Sequence, residues 1–528
     1  MLRRLIWPAV VLLAGVASAA PLWCSHLLPF QDAPQHLAAL TVLAGQGAAA
    51  AASRPFFEVG FANAQYSGVY LAALALARFV GPDVALRLLL TVAALLLPLA
   101  AWMLLGSFER DRRFAVFAPA LFQTATLFIG VYNFIAAVPV AILVVALVER
   151  QLRAPSRVRA LLLAAVSFAL LQLHLSGFVV ALAAACVLAL TRRSRRSIAV
   201  ALAPFAPALA FMAVWALHAP KPAVPGIAQP GAVWQSPLLQ IKDILRFANV
   251  FAGRVDEVFT LLLVIAFVAV VRQKAAKPRP PEGAYRMPLL AAGLLAAYLA
   301  APNYIGYVAY IHLRAIPFLL MFAIASPVTA ATRRTSALLA GAACLQVLYA
   351  PYVAERYRRF DREANVVQLA QVLSKAAPGQ RMVSLMLDRK SKVVHFEPYL
   401  HFGLYYEVLR GGRTRFNFAE LPWMPLRFRT DVLPARRYPV RWEFEPGYFD
   451  WQGALGDAEY VLVRTPDPDP DAEAFDSPEP SAEFASGWNL LERAGRWELF
   501  TPGSRPSNPD ASSAGRRASR SALPALAP

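Results

Sequence analysis

Cysteine is scarce in this chain. Only three occur in 528 residues, Cys24, Cys186 and Cys344, and their spacing matches neither a disulfide framework nor a cysteine-based metal site. Cys24 follows a tryptophan and is a poor lipid-attachment site, while the other two fall in long apolar runs. The fold is therefore expected to form without disulfides.

Charge is also sparse. Charged residues make up 16% of the chain and hydrophobic residues 58%, and the mean hydropathy is +0.46. This composition excludes an ordinary soluble domain. Apolar runs of about 17 to 22 residues recur from residue 5 to about residue 352, each long enough to cross about 30 Å of hydrocarbon. From Glu355 onward the sequence becomes mixed and polar. We predict an integral membrane protein.

Acidic residues are outnumbered, with 33 Asp and Glu against 52 Lys and Arg, which gives a formal net charge of +19. The basic residues cluster between the apolar runs and in the last residues of the chain, so nucleic-acid binding is not needed to explain them. Lys and Arg are retained in short cytoplasmic loops. The clusters therefore predict a cytoplasmic amino terminus, about eleven spans and an external carboxyl-terminal domain. The predicted spans cover about residues 5–22, 84–106, 114–130, 131–149, 157–175, 176–191, 197–217, 257–272, 289–302, 309–330 and 335–352.

The apolar segment 66–81 does not fit this alternation, because a crossing there would put the arginines at 110–113 on the wrong face. We predict a juxtamembrane or re-entrant helix within a long external loop, 23–83. The alternative is that it spans and a second short span restores the parity. The first span also resembles a secretory signal, but its apolar run continues through Trp23, which favours an uncleaved anchor.

The stretch "PFQDAPQHLA" (29–38) follows the first predicted span and places Asp32 and His36 four residues apart. A carboxylate at the edge of a hydrophobic site is suited to take a proton from an attacking hydroxyl, and a histidine could orient it or share the proton. The alternative is an interfacial loop in which Asp-x-Pro is ordinary turn chemistry.

Polar residues inside apolar spans are costly and indicate function by default. Here they gather toward the predicted outer face, where a lipid head group would lie. The candidate substrate-binding residues are Asn133, His174, Tyr307, His312 and Arg314. Arg314 is the most informative, because a guanidinium stays charged and few acids occur in the predicted external loops, so a phosphate would suit it. Snorkelling of Arg314 and interhelix hydrogen bonding of His174 are the structural alternatives.

This arrangement resembles the GT-C superfamily of polytopic glycosyltransferases, in a little-characterised bacterial branch. The resemblance rests on an acid directly after the first span, a juxtamembrane helix followed by a long apolar helix (residues 69–105), about eleven spans and an external carboxyl-terminal domain. The short motifs are D-x-P-x-H at Asp32 and G-x-x-N-F from Gly130 to Phe134. The resemblance implies that Asp32 takes the catalytic position and that the donor is a polyprenyl-phosphate sugar.

Many members of the superfamily carry a second acidic motif, often tied to a metal, in the next external loop. The corresponding turn here, "LFIGVYNF" (127–134), has no acid. Asp32 and His36 supply only two ligands for a divalent cation, fewer than a site needs. We therefore predict neither a metal nor another cofactor.

The sequence predicts a transmembrane GT-C-like domain over 1–352, an external α/β domain over 353–500 and a tail, 501–528, too poor in apolar residues to fold. In the α/β domain, residues 361–380 begin as helix, and 381–388, 458–465 and 496–502 are typical of strands. The stretch 393–412 concentrates aromatic and histidine side chains, which either face the membrane domain or form an ordinary core. They are Tyr399, Tyr405, Tyr406, His395 and His401.

The predicted function is transfer of a sugar from a polyprenyl-phosphate donor to a saccharide, lipid or protein acceptor, at the periplasmic face of a bacterial inner membrane. Asp32 would be the base, Arg314 would hold the leaving phosphate with help from His174 or His312, and His36 and Asn133 would position substrates. A lipid-sugar or polymer flippase is the main alternative, although the sequence contains no internal repeat. A non-catalytic scaffold in envelope assembly is the other.

Overall fold

A computed structural model describes residues 2–61, 64–218, 231–273, 280–305, 308–329, 331–421, 423–432, 458–466 and 487–503, together with residues 442, 444, 446 and 449. The predicted tail beyond residue 503 and the candidate Tyr307 lie outside these described residues.

Helices dominate the first two thirds of the chain. They are α1 (Leu2–Ala19), α2 (Ala33–Ala44), α3 (Gly47–Ser53), α4 (Ser67–Val80), α5 (Pro82–Ser107), α6 (Ala125–Ile129), α7 (Tyr132–Arg153), α8 (Arg157–Leu173), α9 (Leu175–Leu190), α10 (Arg195–Leu202), α11 (Ala206–His218), α12 (Pro237–Arg246), α13 (Val255–Val271), α14 (Arg286–Ala300), α15 (Ile316–Ile324), α16 (Arg333–Ala364), α17 (Val366–Ser374) and α18 (Tyr405–Leu409).

Within the part of the chain that the structure describes, five helical segments are long and apolar enough to cross a membrane. They are Leu5–Trp23, Pro82–Ser107, Tyr132–Arg153, Arg195–His218 and Arg333–Ser374. Shorter apolar helices pack among them. Of the five long segments, α7 is the most buried, and it lies at the centre of the bundle. The predicted class, a polytopic helical membrane protein with a carboxyl-terminal α/β domain, is confirmed; the number of spans stays a prediction.

Two predicted spans are not continuous helices over their length. At 309–330 the helical part is a 3₁₀ turn, His312–Ala315, followed by the nine-residue α15. The span at 114–130 is interrupted in another way. The chain forms a 3₁₀ helix over Arg112–Leu121 and then the short helix α6. Pro119 lies inside the 3₁₀ segment, and Phe114 to Pro119 are buried in the bundle. These apolar residues therefore fill the core. The segment still connects the two ends of the bundle. Arg113 donates to the Ser336 hydroxyl at the start of α16, and the Phe128 carbonyl accepts the backbone N–H of Gln31.

The two ends of the bundle are held by different contacts of acidic side chains. At one, which we call the Glu149 end, the buried carboxylate of Glu149 accepts from Arg153, Arg192 and Arg286 at 2.7, 2.9 and 3.3 Å. These arginines come from clusters that the sequence assigns to one membrane face. At the opposite end, which we call the Asp32 end, the Asp361 carboxylate near the end of α16 accepts from the Leu27 backbone at 2.9 Å. Which end faces the cytoplasm stays a prediction.

Helix α4 lies at the Asp32 end. Its 14 residues span about 21 Å, which is short for a crossing. Tyr70 and Ala73 face the protein, while Leu71 and Phe79 on the other side are exposed and apolar. This pattern fits the predicted juxtamembrane helix.

The carboxyl-terminal part contains most of the strands. They are β1 (Phe57–Val59), β2 (Gln380–Met386), β3 (Gly412–Thr414), β4 (Leu426–Phe428), β5 (Tyr460–Arg464), β6 (Trp488–Ala494) and β7 (Trp497–Pro502). Five of them form a sheet in the order β3-β2-β5-β7-β6, in which β2 is parallel to β3 and β5 and the other pairs are antiparallel. The strands predicted at 381–388, 458–465 and 496–502 are confirmed as β2, β5 and β7.

The carboxyl-terminal part is joined to the loop 23–83. Strand β1 of that loop pairs antiparallel with β4, and Gly412 donates its backbone N–H to Ser53 Oγ at 3.0 Å. Helix α16 is about 48 Å long and continues through residue 352. The predicted domain boundary at 352/353 falls within this continuous helix, and it stays a prediction.

Asp256 fixes a second contact between the two parts. Its buried carboxylate accepts the backbone N–H groups of Val250 and Phe251 at 2.9 and 2.8 Å and the Tyr349 hydroxyl at 2.9 Å. The segment so held pairs with residues 393–395 through backbone hydrogen bonds.

We predict that Asp256→Ala destabilises the protein by about 2–3 kcal/mol, because three buried donors lose their charged acceptor. The measurement is thermal unfolding of the purified full chain. The matched control is Glu257→Ala, since Glu257 is an exposed neighbour with one hydrogen bond to Asn249. Equal melting temperatures for the two variants would contradict this account.

Candidate active site

Asp32 lies in a turn that is fastened to another part of the chain. It immediately precedes α2, and Pro34 in the first turn of that helix needs no N–H partner. The backbone N–H groups of Gln31 and Asp32 donate to Phe128 and Ile129 at 2.9 and 3.1 Å. The end of α6, which together with Gly130 and Val131 we call the α6–α7 turn, therefore holds the Asp32 backbone in place.

Gly130 makes this contact possible. Its φ is +95°, and a Cβ there would lie 2.8 Å from both the Cβ and the backbone N of Asp32. Only glycine avoids both the left-handed strain and the collision. The glycine of the G-x-x-N-F motif is thus explained by a close approach to the candidate base.

His36 lies one helical turn after Asp32 and is buried. Both of its ring nitrogens form hydrogen bonds with residues other than Asp32. Nε2 donates to the Gly130 carbonyl at 3.0 Å, which leaves Nδ1 to accept from the Tyr70 hydroxyl at 2.8 Å. The ring stacks on Tyr132 with a centroid distance of 4.6 Å. Burial lowers the pKa of His36 to about 4, with the nearby Asp32 opposing the shift. His36 is therefore neutral at neutral pH and ties α2, α4 and the α6–α7 turn together.

The carboxyl-terminal part reaches the Asp32 carboxylate. His401, in the connection between β2 and α18, places Nε2 3.3 Å from Asp32 Oδ1, and the two side chains are only 7% and 15% exposed. Gln35 Nε2 lies 3.2 Å from His401 Nδ1. Of the aromatic stretch noted in the sequence, Tyr399, Tyr405 and Tyr406 are buried. His401 is the member that contacts the candidate site.

Arg314 forms a second cluster with His174. Tyr66 stacks on His174 with a centroid distance of 4.8 Å and an interplanar angle of 5°, and both interact electrostatically with Arg314. Arg314 Nη2 donates to the Ala309 carbonyl at 3.3 Å, while its buried Nε has no hydrogen-bond partner. Among the described residues, no carboxylate forms an ion pair with Arg314. The half-buried cation is therefore not neutralised by the described part of the chain.

Asn133 and His312 both lie at the Asp32 end, but the residues around them differ. Asn133, at the start of α7, is buried with its Oδ1 unpaired. His312 Nε2 lies 3.1 Å from Asp243 Oδ2 of α12, while its buried Nδ1 has no partner. Among the residues that the structure describes, neither forms a hydrogen bond with Asp32. The predicted site residues therefore lie in neighbouring clusters rather than in one.

An apolar groove runs between α4, α5, α7 and α8, with a volume of about 160 Å³. Tyr132, which stacks on His36, and Leu173, which precedes His174, both line it. The groove thus leads from the apolar flank of the bundle toward both polar clusters.

Several residues at this end were missed by the sequence analysis. Tyr310 has a left-handed backbone with a φ of 56°, which is rare for a bulky residue. Its ring lies 5.9 Å from Tyr304, and its hydroxyl interacts electrostatically with Glu397 and Asp32. No sequence pattern predicts a left-handed backbone at a tyrosine. Gln35, by contrast, lies within the stretch 29–38 that contains Asp32 and His36.

Within the described residues, no group of three His, Cys, Asp or Glu side chains gathers in a geometry that could hold a metal ion. The absence of a metal from the mechanism stays a prediction.

Comparison with solved structures identifies similar chains, among them two structures of ArnT. ArnT from Cupriavidus metallidurans bound to undecaprenyl phosphate has a TM-score of 0.55 and 12% identity, with 94% of this chain and 97% of that chain covered. ArnT in the apo state gives a TM-score of 0.54 at the same identity and coverage. ArnT is a GT-C glycosyltransferase, so the expected GT-C fold is confirmed. No protein-family model matches, and no curated protein is similar in sequence.

We predict that Gly130→Ala costs about 1–3 kcal/mol of stability and displaces Asp32, because the new Cβ needs a strained φ and overlaps the Asp32 turn. Thermal unfolding measures the effect. Gly341→Ala in α16 is the control, since that glycine is exposed and meets nothing within 4 Å. A Gly130→Ala protein as stable as the control would contradict the close approach.

The low pKa of His36 predicts a pH-dependent contribution to stability. Its pKa falls from an ordinary 6.5 to about 4 on folding, so the folded state binds fewer protons between these values. The contribution is present above pH 6.5 and is lost as the pH falls toward 4, amounting to about 3 kcal/mol. Glu407, whose pKa burial raises to about 7, has the opposite slope.

The test therefore compares wild type with His36→Gln rather than following wild type alone. The stability difference between them should shrink as the pH is lowered from 7 to 5, because the glutamine does not titrate. Parallel curves over this range would show that His36 does not carry the effect.

Proposed function

We propose that this protein is a membrane glycosyltransferase that moves a sugar from a polyprenyl-phosphate donor to an envelope acceptor. One observation carries the proposal. A fixed, mostly buried carboxylate, Asp32, lies at the same end of the bundle as Arg314, a half-buried cation with no acid partner among the described residues. A general base and a phosphate-binding cation are the two groups that such a transfer needs.

Asp32 is proposed as the base. The acceptor hydroxyl or amine attacks the anomeric carbon of the donor sugar and gives its proton to the Asp32 carboxylate. The bond from the anomeric carbon to the phosphate oxygen breaks, and the lipid phosphate leaves with the electron pair. Two backbone hydrogen bonds to the α6–α7 turn fix the Asp32 segment, which favours a defined position for the base.

Arg314 is proposed to bind the donor phosphate. A guanidinium can meet two phosphate oxygens at once, and its unpaired Nε leaves a donor for this purpose. His174 and Tyr66, adjacent to it, would border the phosphate, and His312 would help from its neighbouring cluster. Asn133 and Tyr307 are proposed to position substrates. His36, whose two ring nitrogens bind Tyr70 and Gly130, is proposed to hold the Asp32 turn in place.

The apolar groove gives the lipid tail a place to lie. It is lined by α4, α5 and α7 and includes Tyr132, which stacks on His36, and Leu173, which precedes His174. The similar ArnT structure is bound to undecaprenyl phosphate, a polyprenyl phosphate, which supports the same class of lipid for this chain.

The proposal includes location and partners. The Asp32 end would face the periplasm of a bacterial inner membrane, with the amino terminus in the cytoplasm. The acceptor would be a saccharide, a lipid or a protein, and no cofactor would take part.

We predict that Asp32→Asn lowers kcat by about 10²–10⁴ with little change in the donor KM, because the amide cannot take the proton. The assay follows radiolabelled sugar from a panel of polyprenyl-phosphate sugars into membrane acceptors. Asp431→Asn, which removes an exposed acid paired with Arg429, is the control. Full transfer by a folded Asp32→Asn protein would exclude Asp32 as the base.

We predict a different kinetic signature for Arg314. Arg314→Ala should raise the donor KM by about tenfold or more, and Arg314→Lys should recover only part of it, because an ammonium lacks the bidentate geometry. Arg54→Ala removes an exposed arginine of the loop 23–83 and should behave as wild type. An unchanged donor KM in Arg314→Ala would place the phosphate elsewhere.

A further inference from the structure

Gln35 has an amide orientation that the main chain fixes. Its Oε1 accepts the backbone N–H of Phe418 at 2.9 Å, and its Nε2 donates to the Phe416 carbonyl. Swapping the two amide atoms would place donor against donor and acceptor against acceptor. Gln35 is 1% exposed, so water cannot repair such a mismatch.

The conformation of Phe416 supports this contact. Its φ is 63°, an unfavourable value for a bulky residue. The surrounding segment holds Phe416 in this conformation while its carbonyl meets Gln35. The segment 416–418 therefore determines which atom of Gln35 faces His401.

The Gln35 amide in turn fixes the tautomer of His401. The nitrogen of Gln35, a donor, lies 3.2 Å from His401 Nδ1, so Nδ1 must accept. The ring proton of neutral His401 then sits on Nε2, which is the atom 3.3 Å from Asp32 Oδ1. An imidazolium would set two N–H groups against each other at Nδ1, which disfavours the protonated form.

We propose that His401 of the carboxyl-terminal domain is a positioning residue of the active site, held by Gln35 in the neutral Nε2–H form with that N–H beside the Asp32 carboxylate. This inference rests on the proposed function for its catalytic meaning. The contact holds the carboxylate in one orientation, as a general base requires. Because Nδ1 is occupied by a donor, His401 does not relay the proton onward, and Asp32 retains it after the transfer.

The connection that carries His401 is well supported. Phe402, next to it, stacks on Trp497 of β7 with an interplanar angle of 5°, and Gly403 lies directly against Ser384 of β2. The five-stranded sheet thus fixes the histidine, and the first loop supplies the acid. Neither part contains the pair alone.

Other groups that act on Asp32 must be distinguished from His401. His36 from α2, Tyr70 from α4 and Tyr310 from the loop before α15 interact electrostatically with it. All three are retained in the variants below, so a change in kcat that glutamine restores belongs to His401.

The kinetic test compares three substitutions in the full chain. A glutamine can bring its amide nitrogen close to the place of Nε2, whereas asparagine is too short and alanine has no donor. His401→Ala and His401→Asn should lower kcat by about tenfold or more, with little change in the donor KM. His401→Gln should keep most of the activity, with kcat and the donor KM close to the wild-type values.

Two kinetic outcomes would overturn the proposal. One is a His401→Gln protein as impaired as His401→Ala, and the other is a loss in His401→Ala and His401→Asn that appears in the donor KM rather than in kcat.

A second measurement does not depend on catalysis. Thermal unfolding of wild type, Asp32→Ala, His401→Ala and the double variant forms a double-mutant cycle. We expect non-additive shifts, the double variant losing less than the two single losses combined. Additive shifts would overturn the His401–Asp32 contact even in an active enzyme. Non-additive shifts without transfer by wild type from any donor would support the contact and reject the proposed function.

Discussion

The attachment of the Asp32 turn to the α6–α7 turn is the contact on which the site depends. Two backbone hydrogen bonds join these segments, which lie almost 100 residues apart in the chain, and the His36 ring donates a third to Gly130. Backbone contacts of this kind fix a position more firmly than side-chain packing, because the peptide group has few degrees of freedom. They place a carboxylate at the boundary between the bundle and the carboxyl-terminal domain, where Gly130 leaves the necessary space.

The carboxyl-terminal domain is part of the site rather than an appendage. Strand β4 pairs with β1 of the first loop, residues 393–395 pair with the segment held by Asp256, and His401 meets Asp32. These contacts use residues from both ends of the sequence. The surroundings of Asp32 are therefore complete only with the carboxyl-terminal domain in place.

Much of the architecture could be predicted from the sequence because apolar run length and the positions of arginines constrain membrane proteins strongly. The span at 114–130 departed from prediction because Pro119 and close packing favour a 3₁₀ helix within a protein-lined core, which a run of apolar letters does not distinguish from a lipid-facing helix. Asp32 was recognisable from its local setting. His401 was visible only as one of several aromatic and histidine residues, since its contact with Asp32 spans more than 360 positions and is set by sheet packing.

The central claim is that the Asp32 end receives the phosphate of a lipid-linked donor. The most direct measurement is an experimental structure of the full chain in lipid nanodiscs with bound polyprenyl phosphate. The account predicts phosphate density beside Arg314, with the tail in the groove between α4 and α5 and the Asp32–His401 pair facing the head group. Phosphate density at the Glu149 end, among Arg153, Arg192 and Arg286, with the Asp32 end free of lipid, would contradict it.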